Sequence, residues 1–191
     1  MKNSVRYIEP MSTMALLTAE DLERVNLPNK RTELVRGTLI VREPAGFGHG
    51  KVAMRIGSAL HAYVDRQGLG EVFAAETGFT LFRGPDTVRA PDVAFVSNER
   101  LPERSPRGFA ELAPDLVVEV LSPGDGAGEV AEKIDDWLRA GCRLVRVVDP
   151  ERRRARVHRA NGSVHPLSQD DDLDGEDVVP GFRCALGELL R

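Results

Sequence analysis

The run Leu116-Val117-Val118-Glu119-Val120-Leu121, followed at once by Ser122-Pro123-Gly124-Asp125-Gly126, decides the fold. Aliphatic and β-branched residues, interrupted by Glu119 alone, predict a buried strand, and the Pro/Gly loop ends it abruptly. Beyond the loop, a helix is expected from about Gly128 to Ala140. Its apolar stripe falls on Val130, Ile134, Trp137 and Leu138, and Gly141 is its stop. Leu144 to Val148 then reads as a second buried strand, closed by Asp149-Pro150. Strand, helix and strand in this order predict a right-handed crossover between parallel strands.

The flanks read as hairpins and one long helix. Upstream, Thr18 with Asp21 three residues on marks a short helix start. A hairpin follows, Thr32 to Arg36 and Leu39 to Arg42, turning at Gly37-Thr38. His49 to Gln67 is the clearest helix, with Val52, Ile56, Leu60, Tyr63 and Val64 on one stripe and Gly68 as its stop. Strands are expected at Glu71–Ala75, Phe79–Phe82 and Val88–Val96, then a surface loop from Ser97 to Pro114. Downstream, Arg154–Arg159 and Ser163–Leu167 pair around Asn161-Gly162, and Gly181–Leu190 closes the chain on Phe182, Leu186, Leu189 and Leu190. The sum is an α/β (α+β mixed sheet) fold, with helices packed on a central mixed β-sheet. It forms a single domain over residues 15–191, preceded by a flexible leader over 1–14.

Composition narrows the class of function. A chain of 191 residues with 41% apolar content can bury one good core. No apolar run approaches the roughly 20 residues needed to span a bilayer, and residues 1–14 lack the apolar core of a signal peptide. A cytoplasmic protein with no membrane partner is expected, its two cysteines, Cys142 and Cys184, being free thiols. The net charge of −4 argues against gripping nucleic acid by bulk electrostatics. It is compatible with carboxylates gathered to hold a metal ion.

Four residues are placed where chemistry is plausible. Strand alternation puts Glu119 on a face with Val117 and Leu121, toward covered space, where a carboxylate is costly unless a metal or an arginine holds it. Asp92 follows Pro91 and opens Val93-Ala94-Phe95-Val96; a Pro-Asp pair is also an ordinary strand start. Lys133 stands three residues after Val130 and four before Trp137, bordering the face that packs on the sheet, so its stem can lie there while its ammonium reaches the strand ends. The plainer reading sends that ammonium to water. Glu33, taken alone, reads as an exposed strand residue, and Trp137 as core packing. His49 reads first as a helix-start histidine without a partner and second as a phosphate contact. The basic run through Arg154 and Arg156 reads as a solvated outer face or, more sharply, as a phosphate-contact patch. His61, His158 and His165 show no ligand spacing, and neither a G-x-S-x-G elbow nor a P-loop lysine is present.

Two carboxylates with a nearby lysine suit phosphodiester hydrolysis. Hard oxygen donors hold Mg²⁺ with waters left in its shell, the ion polarises phosphate and acidifies a bound water, and the lysine serves that water or the developing charge.

Read in order, Glu33-Leu-Val-Arg-Gly37, His49, Ala90-Pro-Asp-Val-Ala-Phe-Val96, Glu119-Val-Leu-Ser-Pro123, Lys133 and Val147-Val-Asp-Pro150 resemble the Uma2 family (DUF820) of restriction-like endonucleases, in the PD-(D/E)XK nuclease superfamily. The resemblance spans roughly residues 16 to 191. Leu121 stands where the superfamily pattern has its lysine, and Lys133 on the following helix occupies the place to which that lysine has moved in Uma2 proteins. The resemblance implies a restriction-endonuclease-like core and DNA as substrate. It implies Mg²⁺ (or Mn²⁺) held by Asp92, Glu119 and the Val120 carbonyl, Lys133 at the water or phosphate, Glu33 near the metal, and a homodimer. The rival readings are a non-catalytic nucleic-acid- or protein-binding module on the same scaffold, and a hydrolase of some other phosphate ester.

Overall fold

A computed structural model describes residues 6–7 and 16–191. The leader expected over 1–14 therefore lies outside the described residues, apart from β1 (Arg6–Tyr7). Thr18 caps α1 (Ala19–Arg24): its hydroxyl accepts from the Asp21 N–H at 3.2 Å and the Asp21 carboxylate accepts from the Thr18 N–H at 3.0 Å. β2 (Arg31–Val35) and β3 (Thr38–Arg42) form the first hairpin. Its two turn residues, Arg36 and Gly37, both have positive φ (49° and 76°), as a type I′ turn requires. α2 (Phe47–Gln67) starts two residues before His49 and ends on Gly68, whose φ of 62° gives the left-handed cap.

β4 (Gly70–Ala74) and β5 (Phe79–Phe82) lie where expected, but the strand read at 88–96 is two strands. β6 (Thr87–Arg89) belongs to one sheet and β7 (Val93–Ser97) to another. Ala90-Pro91-Asp92 makes the transition, because Pro91 has no N–H to continue a ladder.

The crossover is present: β8 (Leu116–Val120), α3 (Ala127–Arg139) and β9 (Leu144–Asp149) follow in order, and β8 and β9 run parallel with Glu119 opposite Val147. β10 (Arg154–Arg159) and β11 (Val164–Ser168) form the second hairpin. β12 (Asp172–Asp174), β13 (Arg183–Ala185) and α4 (Leu186–Leu189) complete the chain.

These strands make two larger sheets rather than one. One is five-stranded and antiparallel, in the order β1-β3-β2-β6-β5; the other is six-stranded and mixed, in the order β11-β10-β9-β8-β7-β4. A two-stranded β12-β13 pair was not foreseen. The central strands of the mixed sheet, β7 to β9, are buried on both faces. Ile56, Leu60 and Val64 of α2, with Val179, Phe182 and Leu186, cover Val118 and Val148. Trp137 and the apolar stripe of α3 cover Val117, Val145 and Val147 on the other side. Burial on both faces explains why β8 and β9 read as continuous apolar runs. Among the described residues no helix is long and apolar enough to cross a membrane.

Candidate active site

The break at Pro91 brings charged residues from both sheets to one place. Glu33 comes from β2, Asp92 from the link between β6 and β7, Glu119 from β8 and Lys133 from α3. Their exposures are low: 5% for Glu33, 7% for Asp92 and 7% for Glu119. The exposed strand glutamate expected at position 33 is thus corrected, because β2 is covered and its carboxylate turns inward to partners from β6 and α3.

Lys133 ties the group together. Its ammonium donates to Glu119 Oε2 at 2.8 Å and to the Ala90 carbonyl at 3.3 Å, and stands 3.3 Å from Glu33 Oε1. Two acceptors hold two of its N–H bonds, and the Glu33 carboxylate faces it at ion-pair distance. Burial works against its charge, but Glu119, Glu33 and Asp92 together outweigh that and raise its pKa.

Each carboxylate is oriented from a different side. Asp92 Oδ2 accepts from the Val120 N–H at 2.7 Å and lies 3.1 Å from His49 Nε2. Its Oδ1 has only the Arg31 guanidinium, at 3.9 Å. Glu119 Oε1 accepts from the Trp137 indole N–H at 2.8 Å. Glu33 accepts from the Ala90 N–H at 2.9 Å and from Arg89 at 3.2 Å. Burial raises the pKa of Glu119 to about 7, with the charges of Asp92 and Glu33 adding to it against Lys133. Burial pushes Glu33 the same way, yet Lys133 and Arg89 prevail and hold it down at about 2. Asp92 is also lowered: burial is outweighed by His49, Lys133 and the Val120 N–H.

Three of these features were invisible in sequence. His49 has a partner, being buried against Asp92. Its Nδ1 has none among the described residues. Trp137 is core, as expected, and also an oriented donor to Glu119. Arg89 and Asp136 form a buried pair at 2.6 Å behind Glu33, and sequence offered no signal for it beyond two charges on otherwise covered elements. Arg154 and Arg156 do not line the site. Arg156 lies on the Glu119 face, reached through Val147, two strands away or about 10 Å at the usual strand spacing.

The donor set fits a hard divalent cation. Continuing the β7–β8 register beyond Val93 opposite Val118 would set Pro91 opposite Val120, so the Val120 carbonyl meets no ladder donor there. Asp92 Oδ1 accepts no hydrogen bond among the described residues, and each oxygen of Glu119 retains a lone pair beside its one donor. No three His, Cys, Asp or Glu side chains among the described residues form a metal-binding group, so an ion here would rest on two carboxylates, a carbonyl and water. The cleft of about 50 Å³ between Asp92, Glu119, Ser122 and Lys133 has room for that, at roughly 10–15 Å³ per small occupant.

Comparison with known proteins bears on the fold and the family. A crystal structure from Anabaena variabilis ATCC 29413, described as "a putative nuclease belonging to DUF820", superposes with a TM-score of 0.77 at 20% identity, over 91% of this chain and 97% of that one. The likeness establishes the restriction-endonuclease-like α/β fold. No curated protein matches the chain. The family model named Uma2, described as "Putative restriction endonuclease", matches residues 19–187. The chain belongs to the Uma2 family.

Proposed function

We propose that the protein is a metal-dependent endonuclease that hydrolyses DNA phosphodiester bonds. The observation that carries this is the Lys133 ammonium held between Glu119 and Glu33, beside Asp92, at the strand ends. A structural ion pair needs one carboxylate; three buried ones around a single lysine suit a site that takes further positive charge.

Asp92, Glu119 and the Val120 carbonyl would hold Mg²⁺ or Mn²⁺, which when bound supplies Lewis-acid polarisation and a more acidic water. The chain's own residues do the rest. His49 and the Val120 N–H fix the Asp92 carboxylate, and the Trp137 indole fixes that of Glu119. Glu33, anionic at any working pH, holds the Lys133 ammonium in place. Lys133 presents its charge to the phosphate oxygens as negative charge grows on them, or orients the attacking water. Arg31 lines the cleft and is suited to the flanking phosphate. Arg154 stands opposite Asp149, at the same end of the sheet as Val120, where with Arg156 it would meet the DNA backbone farther from the cut. A homodimer is part of the proposal, because one site cuts one strand.

The test is cleavage of plasmid and single-stranded DNA with Mg²⁺, Mn²⁺ or EDTA. Cleavage should require the metal and disappear in Glu119→Gln, and Lys133→Ala should cut about 10²–10³-fold more slowly. Cleavage by Lys133→Ala at the parental rate would remove Lys133 from the mechanism. No metal-dependent cleavage would leave the non-catalytic binding module as the reading.

A further inference from the structure

A second concavity opens from the site, between α2 and β4, and the reaction as described does not use it. It encloses about 710 Å³, within the range of roughly 300–1,000 Å³ usual for ligand pockets. His49, Asp92 and Arg31 line both this groove and the metal cleft, so the two are continuous.

Its floor is one face of α2. Gly50, Met54, Gly57 and His61 follow at helical spacing and all line it. Glycine inside a helix costs roughly 0.5–1 kcal/mol against alanine, and packing does not demand it at either position. A Cβ on Gly50 would meet nothing within 4 Å, and one on Gly57 would touch only the Val93 methyls, the nearer at 3.5 Å. Two large apolar side chains on this face are left in solvent. Met54, which lines the groove, is 70% exposed, and Phe47, two turns earlier at the helix start and outside the lining, is 91% exposed. Fixed positive charge is sparse: among the described residues Lys30, tied to Glu43, and Arg31 are the lysine and arginine that line the groove.

We infer that this groove takes an unpaired strand of DNA leading to the site, its bases laid against α2 with Phe47 at the mouth. This rests on the proposed nuclease reading and names its substrate as locally single-stranded. A duplex presents two rows of phosphates and binds through many cations. A broad apolar floor with one exposed aromatic beside it instead matches base faces, and a single strand brings one row of phosphates for Arg31 to meet rather than two. Continuity through Asp92 puts the strand's backbone at the metal cleft.

Binding to labelled oligonucleotides, followed by fluorescence anisotropy in EDTA, tests the inference without relying on cleavage. A dT12 single strand should bind at least tenfold tighter than a 12-base-pair duplex. It should also bind tighter than an abasic 12-mer of the same charge. Phe47→Ala should weaken dT12 binding about fivefold to a hundredfold, the loss that follows removal of one stacking platform, and Met54→Glu should weaken it by replacing apolar floor with a charge that repels the strand. Equal affinity for strand and duplex, equal affinity for the abasic chain, or unchanged binding by both variants would overturn it. So would sedimentation in which Met54→Glu splits a dimer, which would assign the groove to a second copy. Cleavage could fail with the binding pattern intact, so the two readings can be separated.

Discussion

Arg89 and Arg146 are both almost wholly buried, at 2% and 1% exposure, yet they lie in opposite surroundings. Arg89, beside the candidate site, donates to Asp136 at 2.6 and 3.0 Å and to Glu33 at 3.2 Å. Arg146, in the middle of β9, has no hydrogen-bond partner on any of its three guanidinium nitrogens among the described residues. Burial lowers its pKa to about 10, opposed only by the charges of Glu176 and Asp174. Those two carboxylates are themselves committed, Glu176 to Arg159 at 2.7 Å and Asp174 to Arg183 at 2.9 Å. Arg89 is paired on all three of its guanidinium nitrogens; Arg146 is merely tolerated. A reacting site needs charges fixed in direction as well as number, and close pairing supplies that.

The sharpest way to break the comparison is to remove each arginine in turn. Arg89→Leu takes from Asp136 its closest partner and from Glu33 one of its two main charge partners, and should cost about 3–5 kcal/mol in chemical denaturation. A loss under about 1 kcal/mol would mean that Lys133, Arg42 and Arg36 suffice without it. The opposite sign is expected for Arg146→Met, but the effect is smaller and comes last.

Between these lies a pH effect at Glu119. Its folded pKa of about 7 stands above the ordinary 4.5, so its contribution to stability is complete below pH 4.5 and is lost as pH rises through 7. Glutamine does not titrate. In EDTA, the stability of Glu119→Gln relative to the parent should therefore shift in the variant's favour from pH 4.5 to pH 8, by on the order of 1–3 kcal/mol. A constant cost from the amide beside Lys133 and Trp137 leaves that shift unaltered. A pH-independent difference would mean that Lys133 fully compensates Glu119.

Arg146→Met should leave stability unchanged or raise it by about 1–2 kcal/mol, since it removes a desolvated charge and keeps an unbranched stem. A loss above about 2 kcal/mol would show that the guanidinium is better compensated than its geometry indicates.

The same contrast explains what could be read from sequence. The crossover from Leu116 to Val148 was legible because its two strands are predominantly aliphatic and its helix has a single stripe. Glu119 and Lys133 were legible as interruptions of those patterns. The two-sheet division was not, because Val88 to Val96 has strand-forming residues on both sides of Pro91, and nothing local says that each side pairs in a different sheet. Glu33, Arg89 and Asp136 are charges that look solvent-facing until residues about a hundred positions apart are brought together. Trp137 read correctly as core, but its indole N–H finds Glu119 only through the packing of α3 on β8. Arg146 conforms to no expectation: a strand that reads as apolar buries it regardless.

The central claim is that the candidate site beside Arg89 is a metal site. It is tested most directly by titrating the protein with Mn²⁺, read by electron paramagnetic resonance, beside Asp92→Asn. The account predicts one ion bound per chain and an affinity at least tenfold weaker in the variant, more than the loss of a typical supporting contact. Equal binding by the two proteins, or none by either, would contradict it.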